Sequence, residues 1–234
     1  MDPFFGELYL RSTRPFLPER VSDAEADFLR PRLPATGRVL DLGCGHGRHL
    51  RRLPGLSMVG VDRDGLSLEE ARAFAPVARA DFTALPFREA AFAGAFCWYN
   101  TLGTFETEVA RAMLREVARC LQPGGAFVVQ GSNRARAEEQ PTSFYDGALP
   151  DGSHLREECT YDAAGRRDRL TRRLTLPEGR VMAASFFIRY YDPDEWRSLL
   201  AEVGLEVEWA CGGVDGTAFA ASSADLIVGA RKRV

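Results

Sequence analysis

The stretch VLDLGCGHGRH, Val39 to His49, is an apolar strand that ends in an acid and runs into three glycines at alternate positions. Gly43, Gly45 and Gly47 remove side chains where the backbone must bend sharply and approach a ligand closely. A helix expected over about 46–53 would point its free amides at the same spot. The spacing is G-x-G-x-G, not the G-x-G-x-x-G with which dinucleotide folds let the following helix pack on the strand. Asp41, just ahead of the glycines, suits a cationic ligand better than a pyrophosphate; its other reading is a carboxylate that caps the turn.

Outward from this turn, short apolar runs alternate with helical patterns, the signature of a parallel sheet covered on both faces. Strands are expected near 38–42, 57–61, 77–80, 93–99 and 126–131, with crossover helices near 65–75 and 105–121, the first of them opened by a Ser67–Glu70 capping box. Ligands of such sheets lie beyond the carboxyl ends of the strands, where Asp41, Asp62, Asp81 and Asn100 fall. Upstream, Ser22 and Glu25 form another capping box before a helix with Ala24, Phe28 and Leu29 on its apolar stripe. Phe4, Phe5, Leu8, Tyr9 and Phe16 make the first residues too apolar for a free tail.

After Gly131 the alternation breaks. Ser153–Tyr161, Arg167–Leu176 and Arg180–Tyr190 read as a three-stranded antiparallel meander with DAAGR and PEGR turns. A helix over about 193–203 and strands near 205–210 and 225–231 complete the core. The chain therefore divides into an N-terminal helical lid (1–35), a ligand-binding core (36–131), an inserted β cap (132–190) and the core's completion (191–234).

The ordered motifs resemble the class I S-adenosylmethionine-dependent methyltransferases, over roughly residues 36 to 131. Their first motif is an acid followed by G-x-G-x-G; VGVDRD (Val59–Asp64) matches their second strand, ARADFTALPF (Ala78–Phe87) their adenine loop, FAGAFCWYNTLGTF (Phe92–Phe105) their fourth strand and methyl-facing loop, and LQPGGAFVV (Leu121–Val129) the turn into their fifth strand. The resemblance implies a doubly wound, seven-stranded, mostly parallel α/β sheet of Rossmann-like form that ends in an antiparallel hairpin and carries the inserted antiparallel β cap. It also implies S-adenosylmethionine as cofactor and S-adenosylhomocysteine as product. Asp62 would hold the ribose hydroxyls, with Arg63 beside it, and Asp81 and Phe82 would meet the adenine. Gly43, Cys44, Gly45, Gly47 and Asp41 would form the cradle, and Tyr9 would reach the cofactor from the lid. Cys97 and Trp98 would stand near the sulfonium, where an aromatic face favours a cation.

In this family an insertion between the fifth strand and the final hairpin commonly roofs the active site and selects the acceptor. Asn100, Tyr161 and Arg189 are the candidate acceptor ligands, the last inside RYYDPDEW, which resembles an R-x-Y-x-x-x-E-W pattern of small-molecule methyltransferases. A guanidinium there would hold a carboxylate or phosphate by two hydrogen bonds. His154 and Glu157 are the candidate bases, needed only if the acceptor must lose a proton.

Composition agrees with one compact enzyme of 234 residues, 45% hydrophobic, with net charge −3 and a single lysine, Lys232. An acidic balance disfavours a broad nucleic-acid surface, and the missing N-P-P-Y or D-P-P-Y box disfavours a DNA amino-methyltransferase. Five scattered cysteines without C-x-x-C spacing exclude a disulfide framework and leave no metal site expected. No stretch reads as a signal peptide or membrane span, so a cytoplasmic protein without a membrane partner is expected. A small-molecule methyltransferase leads. An RNA or protein methyltransferase on the same core, and a non-catalytic S-adenosylmethionine-binding regulator, stand as alternatives. A nicotinamide oxidoreductase is weaker for want of G-x-G-x-x-G.

Overall fold

The computed structural model describes residues 5–234, so Phe4 lies outside the described residues. Strands β1 (Arg38–Leu42), β2 (Ser57–Asp62), β3 (Val77–Arg79), β4 (Phe92–Cys97), β5 (Leu121–Ser132), β10 (Leu205–Cys211) and β11 (Asp225–Lys232) form one sheet in the order β10-β11-β5-β4-β1-β2-β3. The first five are parallel to their neighbours, and β11 and β10 are added antiparallel. Alternation along the strands feeds two cores. Leu40, Leu42 and Val61 face α4 (Thr107–Cys120) and α6 (Pro193–Glu202), while Val39, Phe96 and Val128 face α2 (Glu19–Leu29) and α3 (Gly65–Ala71).

Three local expectations are corrected. Gly45 and Gly47 adopt φ of 51° and 83°, outside α geometry, so the helix expected over 46–53 shrinks to a short 3-10 turn, Leu50–Arg52. Asp64, not Ser67, caps α3, accepting from the amides of Leu66 and Ser67 at 3.2 and 3.0 Å. Ser22 and Glu25 lie inside α2, which begins after Pro18, and the Glu25 carboxylate turns away from the helix end to Arg48 and His49.

The insertion opens with α5 (Arg134–Glu139) and forms a four-stranded antiparallel sheet of β6 (Thr142–Ala148), β7 (His154–Asp162), β8 (Arg167–Thr175) and β9 (Val181–Arg189). The expected meander lacks β6, whose residues are almost all exposed and carry no apolar alternation. One face of this sheet is covered by the N-terminal helix α1 (Glu7–Thr13): Leu8 is buried among Leu149, Leu155, Leu174, Leu176 and Ala184. Burying that one leucine contributes roughly 1.5–3 kcal/mol to lid docking. The bidentate pairs Arg180–Glu7 and Arg14–Glu70 flank the helix, but they are half exposed and add little.

Candidate active site

The turn after β1 is held from behind. Amides of Gly43 and Cys44 donate to the Val61 carbonyl at 2.8 and 3.0 Å, and that of Gly47 donates to the Cys44 carbonyl at 2.9 Å. Gly45 donates to Asp62 Oδ2 at 2.8 Å, and Asp62 Oδ1 accepts from the Asp64 amide at 2.9 Å. These four amides are spent on shaping the turn. Burial raises the Asp62 carboxyl, against the amide hydrogen bonds that favour its charged form.

In front of the turn is a cleft at the carboxyl edge of the sheet. The lid contributes Phe5, Gly6 and Tyr9, the sheet's carboxyl edge Gly43, Gly45, Asp62 and Arg63, and the loops Phe82, Thr101 and Phe105. A Cβ on Gly45 would meet nothing within 4 Å, so this glycine leaves the cleft open. Phe82 and Phe105 meet edge to face at 6.1 Å, and the Arg63 guanidinium lies 5.6 Å from the Phe105 ring. Tyr9 has its hydroxyl pushed upward in pKa, chiefly by burial, with Tyr99, Arg48, Asp62 and Arg172 as its charged and polar surroundings.

Beneath the turn lies a buried polar cluster. Asp41 is 1% exposed, and burial pushes its carboxyl up to about 8. Its Oδ2 has no hydrogen-bond partner among the described residues, the His49 Nδ1 standing 4.0 Å away. Glu25 accepts from Arg48 and lies 2.9 Å from His49 Nε2, yet Arg48 Nη2 is buried without a partner among the described residues. His49 packs edge-on against Phe96 and Trp98, and burial pushes its ring down to about 4. A lone carboxylate oxygen and a lone guanidinium nitrogen thus flank one turn.

The structure gathers Tyr9, Gly43, Gly45, Asp62, Arg63 and Phe82 around the cleft. It does not gather the rest of the expected set. Gly47 supports the turn, a Cβ there meeting Ala71 Cα at 3.0 Å, and the Cys44 thiol is buried against Gly60. Asp81 stands outside the cleft lining, accepting from the Thr83 amide and hydroxyl at 2.8 and 2.7 Å. Cys97 is buried in the core, and Trp98, 4% exposed, stacks on Phe28 and His49. Neither lines the cleft. The strand ends at Cys97 and the chain turns through positive φ at Tyr99 and Asn100, which leaves Trp98 facing inward.

The expected acceptor ligands and bases have partners within the fold. Asn100 is a brace: its Nδ2 donates to Ser132 Oγ at 2.9 Å and its Oδ1 accepts from the Ser132 amide at 2.7 Å. Arg189 donates to the Gly165 carbonyl and to Glu195 at 2.9 and 3.0 Å, locking the junction between β9 and α6. Tyr161 donates to Glu138 at 3.0 Å. His154 falls on the face opposite Leu155 and pairs with Asp146 at 2.9 Å, remote from the lid. Glu157 shares the lid-facing side with Leu155 but accepts from Arg172 at 2.5 Å. Sequence reasoning missed Arg172, Arg48 and Thr101. Nothing in a strand reading RDRLTRRLT distinguishes the inward arginine from the others; only register does.

Among the described residues, no three His, Cys, Asp or Glu side chains converge as metal ligands, and no helix is long and apolar enough to cross a membrane.

Residues 39–125 match the sequence model of a family described as a methyltransferase domain. Several solved structures share the fold. The CcbJ methyltransferase of Streptomyces caelestis superposes with a TM-score of 0.79 at 23% identity, over 92% of this chain and 96% of that one. An S-adenosylmethionine-dependent methyltransferase of Clostridium acetobutylicum gives 0.81 at 14% identity, over 98% of each chain. The amino pentose methyltransferase CalS10 of Micromonospora echinaspora, solved with S-adenosylmethionine bound, gives 0.67 at 18% identity, over 97% and 98%. No curated protein matches the sequence.

Proposed function

We propose that the chain is an S-adenosylmethionine-dependent methyltransferase of a small-molecule acceptor and that the acceptor's nucleophile is an amine; the match of residues 39–125 to a methyltransferase-domain model and the shared fold support the reading. The observation that carries the reading is the cleft closed between the lid residues Phe5, Gly6 and Tyr9 and the turn residues Gly43, Gly45 and Asp62. Its chemistry fits the donor. Asp62 suits a ribose, and Phe82 with Phe105 suits a flat base.

When bound, S-adenosylmethionine supplies a methyl carbon on a sulfonium, open to in-line displacement by a lone pair. The protein's task is then alignment, which contributes several kcal/mol when two reactants are held near contact. Tyr9 and Thr101 stand at the cleft between lid and methyl-facing loop, and the loop is fixed because the amides of Tyr99 and Asn100 donate to Gln130 Oε1 at 2.7 and 3.3 Å. The amine is favoured because in its neutral form it attacks with a free lone pair, and the proton leaves the product ammonium afterwards. His154 lies on the far face of the cap and Glu157 is tied to Arg172, which leaves neither ready to take a hydroxyl proton. CalS10, an amino pentose methyltransferase by its description, shares the fold and is consistent with this reading.

A labelled-methyl transfer assay against amine, hydroxyl and carboxylate metabolites, with RNA and protein extracts as parallel acceptors, tests it. Label entering an amine of a small molecule supports the proposal. Label entering only macromolecules overturns it.

A further inference from the structure

Resting on the donor reading above, we infer that Arg172 is a positioning residue that couples the donor lid to the acceptor-side cap, so that closure of one orders the other. Three structural units meet at this side chain. Arg172 projects from the face of β8 that carries Leu170 and Leu174, opposite the exposed Arg173. Its Nη1 donates to Ser12 Oγ at 2.9 Å and Thr13 Oγ1 at 2.8 Å, both buried at the C-terminal end of α1. Its Nε donates to Glu157 on β7 at 2.5 Å, and its guanidinium carbon lies 5.5 Å from the Phe186 ring on β9. Arg172 and Glu157 also belong to the electrostatic surroundings of Tyr99, in the loop that follows β4.

The lid helix therefore has two faces with separate duties. Tyr9 lies against the donor cleft with Phe5, while Leu8, Ser12 and Thr13 lie against the cap. Other links between lid and surroundings differ in kind. Arg180–Glu7 and Arg14–Glu70 are half exposed, where solvent weakens ion pairs, whereas the Arg172 side chain is only 12% exposed. Charge-assisted bonds in a dry site are stronger and more directional. Removing Arg172 would also leave Glu157 without its cation. One side chain thus joins α1 to β7 and β8 of the cap. Donor binding, which favours the closed lid, thereby orders the cap before the acceptor arrives, and coupling of this kind is reciprocal.

The test follows amide exchange across α1, β7 and β8, together with calorimetry of S-adenosylhomocysteine, in wild type, Arg172→Ala, Arg172→Lys and the double variant Ser12→Ala/Thr13→Val. The double variant cuts the latch from the lid side and leaves the Arg172–Glu157 pair intact, so it stands if Arg172→Ala does not fold. In ligand-free protein, the double variant and Arg172→Ala should speed exchange in α1 about tenfold, while β1 and β4 stay protected. S-adenosylhomocysteine should protect β7 and β8 in wild type although no residue of those strands lines the donor cleft, and that protection should vanish in both variants. Donor affinity should fall about tenfold, and lysine, which keeps the charge, should restore part of it. Unchanged α1 exchange in the double variant, or cap protection that survives it, overturns the inference. Failure of wild type to bind S-adenosylhomocysteine overturns the donor reading instead, and the ligand-free exchange still decides whether Arg172 holds the lid.

Discussion

The amide of Gly45 donates to the Asp62 carboxylate at 2.8 Å, tying the glycine turn after β1 to the end of the neighbouring strand β2. The same carboxylate lines the cleft and accepts from Asp64, so it shapes the turn and faces the ligand at once. Asp62→Ala should weaken S-adenosylhomocysteine binding by about 1–3 kcal/mol, the scale of lost hydrogen bonds to a charged group. Calorimetry on a folded variant checks this, and an unchanged affinity would remove Asp62 from the site.

Two glycines of the same turn should respond differently. Gly45 has open space before it, so Gly45→Ala should cost only about 1 kcal/mol of stability, from its left-handed backbone, yet cut donor affinity strongly because the methyl enters the cleft. A Cβ on Gly47 meets Ala71 Cα at 3.0 Å, so Gly47→Ala should lower the melting temperature more and affect binding less per unit of stability lost. Thermal melts and calorimetry on both variants separate the two; the opposite ranking contradicts the assignment of Gly45 to the cleft.

Asp41 gives the protein a pH signature. Its carboxyl is raised from 3.8 to about 8 by burial, so across that window the folded chain holds a proton that the unfolded chain has released. Stability from this group therefore falls as pH rises through the window and levels off above it. Asp41→Asn has no proton to lose. Its melting temperature relative to wild type should climb between about pH 5 and 8. Parallel curves for the two proteins would show that Asp41 is ionised in the fold.

Trp98 should behave as core. Trp98→Phe removes packing against Phe28 and His49 and is expected to cost about 1–3 kcal/mol in denaturant unfolding, with donor affinity near wild type. Loss of affinity without loss of stability would return Trp98 to the cleft.

The sheet was legible because its signals are local. Glycines that need positive φ, acids at strand ends and period-two burial are all written within a few residues, and β1, β2 and β11 fall within a residue or so of their expected bounds. Side-chain roles were less legible because they depend on register and on distant partners. Whether Trp98 faces core or cleft turns on where β4 stops, and Arg189, expected at the acceptor, is spent on Glu195, while Arg172, which nothing in the sequence singled out, points at α1. Glu25 looked like a capping residue because Ser22 precedes it by three. Its partners, Arg48 and His49, come from a turn more than twenty residues away. Strand β6 escaped notice because an exposed edge strand needs no apolar alternation.

The central claim is that the cleft between the lid and the glycine turn binds the methyl donor. Calorimetric titration of the purified chain with S-adenosylmethionine, S-adenosylhomocysteine and NAD tests it most directly. The account predicts saturable one-site binding of the first two and none of NAD. Binding of NAD with no heat from either sulfur compound would contradict it.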